Sequence, residues 1–205
     1  MKIRNLAILV LCTLFSCLAS AKRSELFVVK QGDPLVILQE KKTAIFEIDY
    51  SKLIVTDSKD HDNDLDFSTW MQAQDEDDNK WLEDWESKDK ADCDKAFRDK
   101  WNDEIKHGLK LTKLGKHYKV IFRPTMIDFG PAVKYGFGGI KGGEAKVDGQ
   151  LEVRDINTDD VQLILEVHQL KGESSFKQIG RLKGIFENLG EELNDYLKDY
   201  KKKNK

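Results

Sequence analysis

Cysteine is scarce in this chain. There are three in 205 residues, and two of them, Cys12 and Cys17, fall in an apolar N-terminal stretch that reads as a leader. Once that leader is removed only Cys93 remains, which excludes an intramolecular disulfide and leaves the core to hold the fold. Histidine is nearly as sparse, and His61, His107, His117 and His168 are scattered along the chain. Neither Gly-x-Ser-x-Gly nor His-Glu-x-x-His occurs, so the usual serine-hydrolase and zinc-protease templates are missing. No internal repeat is present. Basic residues are not interleaved with aromatics along a surface, which argues against a nucleic-acid partner.

The apolar start has the three parts of a secretory signal. Lys2 and Arg4 form a positive beginning, Leu6 to Phe15 an apolar middle, and Ala19-Ser20-Ala21 a small-residue cleavage site before Lys22-Arg23. A membrane span needs roughly 20 apolar residues, and Ser16, Cys17 and Ser20 interrupt the stretch too early. The expected mature chain is therefore residues 22–205, one domain, periplasmic or secreted. Leu14-Phe15-Ser16-Cys17 offers a competing outcome, because it resembles a lipobox in which Cys17 would carry the lipid. Phe15 is bulky for that motif, so cleavage at Ala19 and Ala21 is preferred. Only lipidation at Cys17 would bring a membrane into play, as an outer-membrane lipoprotein.

Charge is unevenly spread. Asp57 to Glu104 holds 18 acidic and 7 basic residues, whereas the C-terminus closes on Lys201-Lys202-Lys203-Asn204-Lys205. The lysine tail reads as a solvated helix end that complements the helix dipole. Cys93 sits between Asp92 and Asp94, which raise a thiol pKa, so a buried, idle thiol is expected rather than a nucleophile.

Periodicity gives the elements. Leu26–Val29, Leu35–Leu38 and Thr43–Asp49 read as short strands separated by turns, with at least one hairpin among them. Asp57–Asp66 reads as a polar loop. Trp81, Leu82 and Trp85, then Phe97, Trp101 and Ile105, have helical spacing, with Asp92 or Asp94 as a cap and Gly108 as a terminating glycine. His117–Phe129 reads as a central strand with Tyr118, Val120 and Phe122 on one side and Ile121 and Ile127 on the other; Pro124 implies a bulge or an edge. Val147–Val153 and Val161–Val167 alternate around Asn157–Asp160, the pattern of a β-hairpin. From Phe176 to Tyr200 apolar residues step by three and four, which predicts a long amphipathic helix, with Gly180 and Gly184 allowing close approach to the sheet and Gly190 a bend. The predicted fold class is α+β: a largely antiparallel sheet covered by the long C-terminal helix and one or two helices from the middle segment.

Candidate sites are few. Asp60, Asp62, Asp64 and Asp66 alternate as in a calcium-binding loop, but the positions for the turn glycine and the bidentate glutamate are not filled as an EF-hand requires. A solvated acidic loop is the plainer reading. Gly136 to Gly143 holds five glycines, yet a strand follows it and Lys141 precedes its glycine, so it is not a phosphate loop. Phe137, Ile140 and Lys141 at its tip form a candidate contact for a ligand or partner. Trp70, Trp81, Trp85 and Trp101 amid carboxylates would suit sugar binding or acid–base hydrolysis, but their spacing is that of a core.

Phe46-Glu47-Ile48-Asp49-Tyr50-Ser51, Trp81 to Trp85 with Phe97 and Asn102, Ile127-Asp128-Phe129-Gly130, and Gly142-Gly143 leading into Gly149 to Asp155 carry a resemblance. Over roughly residues 25 to 198 the chain resembles uncharacterised exported or lipoprotein-like proteins of Bacteroidetes-type bacteria, related to a bacterial domain of unknown function. The resemblance implies an α+β envelope domain and transfers no functional residue. The expected function is thus a non-catalytic binding or structural module with a protein or glycan partner and no cofactor. The alternatives are a ligand or calcium binder using the acidic loop, and a carboxylate-dependent hydrolase.

Overall fold

The computed structural model describes residues 25–56, 64–78, 80–131, 133–136 and 139–204; for 75–78, 133–136 and 139–141 the backbone alone is described. The expected leader, with Cys17, Ala19 and Ala21, lies outside the described residues, as do Asp60, Asp62 and Phe137.

The α+β class holds. Strands β1 (Phe27–Gly32), β2 (Thr43–Ile48), β3 (Ile54–Thr56) and β4 (Leu65–Asp66) precede helix α1 (Phe67–Asp78). Helix α2 (Trp81–Asp84) runs through a π-helical turn (Trp85–Asp89) into α3 (Lys90–Glu104). Then come β5 (Lys110–Leu111), β6 (Tyr118–Asp128), β7 (Val133–Gly136), β8 (Gly139–Gly142), β9 (Lys146–Asp155), β10 (Val161–Lys171) and helix α4 (Gln178–Lys203). The main sheet has eight strands in the order β1-β10-β9-β6-β2-β5, with β3 beside the far end of β6 and β4 outside β3. Its β1-β10-β9-β6 half is antiparallel, whereas β2 and β3 add to β6 in parallel.

The sheet buries one face. Val120, Phe122, Ile127, Val147, Leu151, Val153, Leu163, Leu165 and Val167 meet Phe97 and Trp101 of α3 and Leu182, Ile185, Phe186, Leu189 and Leu193 of α4. Aromatic contacts bind the layers: Phe46 stacks on Phe97 at 4.1 Å and Phe122 meets Phe186 edge-on at 6.2 Å. The other face is charged, with Lys119 on Glu47 at 2.7 Å and Lys30 on Glu166 at 3.0 Å. This is the period-two division expected of a sheet with one solvated side.

Pro124 produces the predicted bulge, and its placement has a reason. The register with β9 shifts between Pro124 and Met126, just where the parallel neighbour changes from β2, which ends opposite Phe122, to β3, which begins opposite Met126. A residue without an N–H falls in the gap between two partners. The shift also reverses the alternation, so Ile127 joins Val120 and Phe122 in the core instead of standing opposite them with Ile121.

Several local expectations are corrected. Pro34–Leu38 is a 3₁₀ turn and not a strand: Asp33 accepts the Leu35 N–H at 2.9 Å, Pro34 opens the turn, and Val36 and Ile37 are buried by it. No hairpin joins β1 to β2, because they pair with β10 and β6. Leu65 and Asp66 leave the polar loop to pair with β3. Asp92 and Asp94 cap nothing, since the π turn carries the helix through them. Helix α3 ends instead under Lys110, whose Nζ donates to the carbonyls of Asn102 (2.9 Å) and Ile105 (3.2 Å). Gly108 is needed for contact: a Cβ there would lie 2.6 Å from the Ile37 carbonyl oxygen. Helix α4 starts at Gln178, leaving Phe176 outside it, and runs unbroken through Gly190, where a Cβ would stand 3.0 Å from the Trp101 amide nitrogen. That glycine brings α3 and α4 together; it does not bend the helix. Gly180 and Gly184 face Ser175 and Glu173, in the segment before α4, and not the sheet.

Candidate functional site

The residues singled out by sequence divide three ways. Of the acidic loop, Asp64 is exposed and Asp66 is engaged in capping α1: its carboxylate accepts from the Thr69 N–H (3.0 Å), Ser68 Oγ (2.6 Å) and Thr69 Oγ1 (2.6 Å). The hydroxyl of Ser68, then that of Thr69, hold its pKa down to about 2. Among the described residues no group of three or more His, Cys, Asp or Glu is arranged to hold a metal ion. Ile140 and Lys141 lie on β8, which among the described residues pairs only with β7, in a separate two-stranded ribbon. Trp70, Trp85 and Trp101 are buried, and Trp101 donates to the Leu109 carbonyl at 2.7 Å, so these three are core. Cys93 is fully buried, and burial, then the charge of Asp94, pushes its thiol far above the ordinary range. It is inert as a nucleophile.

Trp81 is different. It is half-buried and helps line an open groove of about 360 Å³ between α2 and the start of α4. Phe176, 64% exposed, stands on the same groove with Lys177 and Gln178, while Asp84 and Asp89 line it from the α2 side. Burial, then the neighbouring charges of Asp84 and Asp92, raises the Asp89 carboxyl, although Lys88 and Lys177 oppose this. Lys177 is the N-cap of α4 and has extended backbone; its side chain caps nothing, and its N–H donates to Ser175 Oγ at 3.2 Å.

Arg181 forms the floor. It is 2% exposed, among the largest buried side chains of the protein, and lines the groove. Its Nη1 donates to the carbonyls of Phe129 (2.6 Å), Gly130 (3.2 Å) and Pro131 (3.3 Å), and the guanidinium lies 5.9 Å from the Phe129 ring centroid. Gly130, at φ +60°, makes the turn that points these carbonyls inward, and its N–H is held by Asp128 at 2.7 Å. Gly143 passes so closely that a Cβ would come within 2.9 Å of Nη1. The Nε atom is buried with no hydrogen-bond partner among the described residues. Burial lowers the guanidinium pKa, opposed by the charge of Asp128, yet no carboxylate among the described residues makes an ion pair with it. A cation held out of water on carbonyls, with Asp128 acting on it but no direct ion pair, is an incomplete electrostatic arrangement.

Sequence reasoning did not find Arg181, because a polar position in an amphipathic helix ordinarily marks its wet face. The available signal was its place one turn before Ile185, on the edge of the apolar stripe.

No protein-family model and no curated protein matches the chain. Among solved structures, the PelC dodecamer from Paraburkholderia phytofirmans is similar over 82% of this chain and 96% of its own, at 5% identity and a TM-score of 0.36. A substituted form of that protein, also a dodecamer, is similar over 80% and 97%, at 6% identity and a TM-score of 0.31. Likenesses this faint carry no argument. No described helix is long and apolar enough to cross a membrane.

Proposed function

We propose that the protein is an exported, non-catalytic binding module of the bacterial envelope, and that it meets a protein or glycan partner at the α4 groove. The observation that carries this reading is Arg181: a buried guanidinium, without an ion-pair partner and with its Nε unsatisfied among the described residues, at the floor of an open groove whose rim presents a solvent-exposed Phe176. Sites for ligands combine apolar walls with a few fixed polar groups in this way.

Two measurements test it. Glycan and peptide arrays probed with the purified protein should retain at least one ligand, and Phe176→Ser should lose that ligand at an unchanged melting temperature. Retention untouched by changes at Phe176 and Lys177 overturns the groove as the contact. For export, the N-terminal mass of the protein recovered from the envelope or medium should begin at Lys22, or at a diacylglyceryl Cys17. An intact Met1 in the cytoplasmic fraction overturns it.

A further inference from the structure

We infer that the α4 groove takes an acidic sugar, its carboxylate directed at Arg181 and its ring laid against Phe176 and Trp81; this rests on the binding-module reading above. Three observations combine. The first is a buried cation without a direct ion pair. Arg181 is 2% exposed, its Nε has no hydrogen-bond partner among the described residues, and although the charge of Asp128 acts on it, no described carboxylate forms an ion pair with it. In a low-dielectric floor such a charge acts strongly on an anion entering the groove, and Arg matches a carboxylate in shape. The second is the start of α4 directly beside it. The side chain of the N-cap Lys177 makes no capping hydrogen bond, so the positive end of a 26-residue helix opens beside the groove that Lys177 also lines.

The third observation separates ligand classes. The groove is not uniformly basic, because Asp84 and Asp89 line it along with Lys80 and Lys177. Those carboxylates repel a densely charged ligand such as a polyphosphate or a polyglutamate chain. They suit a ligand that carries one anion per unit together with hydroxyl donors. Phe176 and Trp81 add flat apolar faces, which a sugar ring can cover with its C–H groups. One carboxylate, several hydroxyls and an apolar ring face describe a uronic acid.

The experiment is titration calorimetry of the purified protein with four probes: a galacturonate oligomer, its methyl ester, a glutamate oligomer and inorganic phosphate. The galacturonate oligomer is expected to bind, and the neutral ester to bind at least about tenfold more weakly, the loss of one charge-assisted contact. Lys177→Glu and Phe176→Ser, both at exposed positions, should each weaken galacturonate by about tenfold while the melting temperature holds. Arg181→Lys, which keeps a cation without the planar fork, should weaken it too; if Arg181 variants fail to fold, the two exposed variants carry the test. Equal affinity for acid and ester overturns the anion site, and so does glutamate or phosphate binding as tightly as galacturonate. If no galacturonate binds while an array ligand is still lost in Phe176→Ser, this inference falls and the binding module stands. If neither probe nor array ligand depends on the groove, both fall.

Discussion

Among the described residues charge is buried in two places and treated in opposite ways. On the outer sheet face Glu152 is 5% exposed, yet Arg123 Nη1 and Arg154 Nε each donate to it at 2.7 Å, and Asp49 and Asp159 pair with those arginines in turn. Burial raises the Glu152 carboxyl, but the hydrogen bonds from Arg154 and Arg123 outweigh it and the net pKa falls. On the helical side Arg181 is more deeply buried and has three carbonyls, and although the charge of Asp128 acts on it, no carboxylate among the described residues forms an ion pair with it. The first arrangement is closed and contributes to the fold. The second leaves attraction unspent, and it sits where a groove opens. Depth of burial is therefore a poor guide to function; whether the charge is answered is a better one.

Removing Glu152 should do the most damage. Glu152→Ala leaves Arg123 and Arg154 without the carboxylate they share and is expected to cost about 2–3 kcal/mol in urea unfolding, for loss of one partner of a buried ionic network. Arg181→Met should cost less, about 1 kcal/mol by the same measurement, because relief of a buried cation that lacks a direct ion pair offsets the lost carbonyl contacts. A larger loss at Arg181 than at Glu152 would erase the distinction between the two buried charges.

Acid should separate the two sides further. The Glu152 pKa is depressed in the folded state, so its contribution is complete above the unfolded-state value and disappears as pH falls through the folded one. Asp94, on the inner side, has a carboxyl raised by burial first and by Glu47 last, with Lys90 and Arg98 opposing, and its Oδ1 is buried without a partner. The sign there is reversed: charged Asp94 weakens the fold above its folded pKa, and protonation relieves it. Asp94→Asn should therefore raise the melting temperature at pH 7 and lose that advantage below about pH 4, near the ordinary carboxyl range. Lys177→Glu should be the mildest for stability, within about 0.5 kcal/mol as for other exposed positions, while removing groove binding.

Much of the architecture was readable where pairing is local. The β9–β10 hairpin, the α4 stripe and the interruption at Pro124 follow from alternation, helical steps and one missing N–H. What failed was decided by neighbours distant in sequence. Leu35–Leu38 looks like a strand until Asp33 and Pro34 are seen to close a turn that drops Ile37 under the Leu109 N–H, which donates to its carbonyl at 2.8 Å. The parallel docking of β2 on β6 leaves no mark in β2 itself. Of the candidate site, Trp81 stood out as an aromatic and Arg181 did not, because its distinction lies in carbonyls fifty residues upstream.

The pairing of β1 with β10 carries a consequence in time. Phe27 lies opposite Val167, so the first strand has no edge to join until nearly the whole chain has emerged. β2 likewise waits for β6. On any route that delivers the chain N-terminus first, these strands stay open while the middle helices form, because contacts of such sequence separation come late. The order of the sheet thus acts as a delay: it keeps the early part of the chain threadable until the last strand arrives to close it.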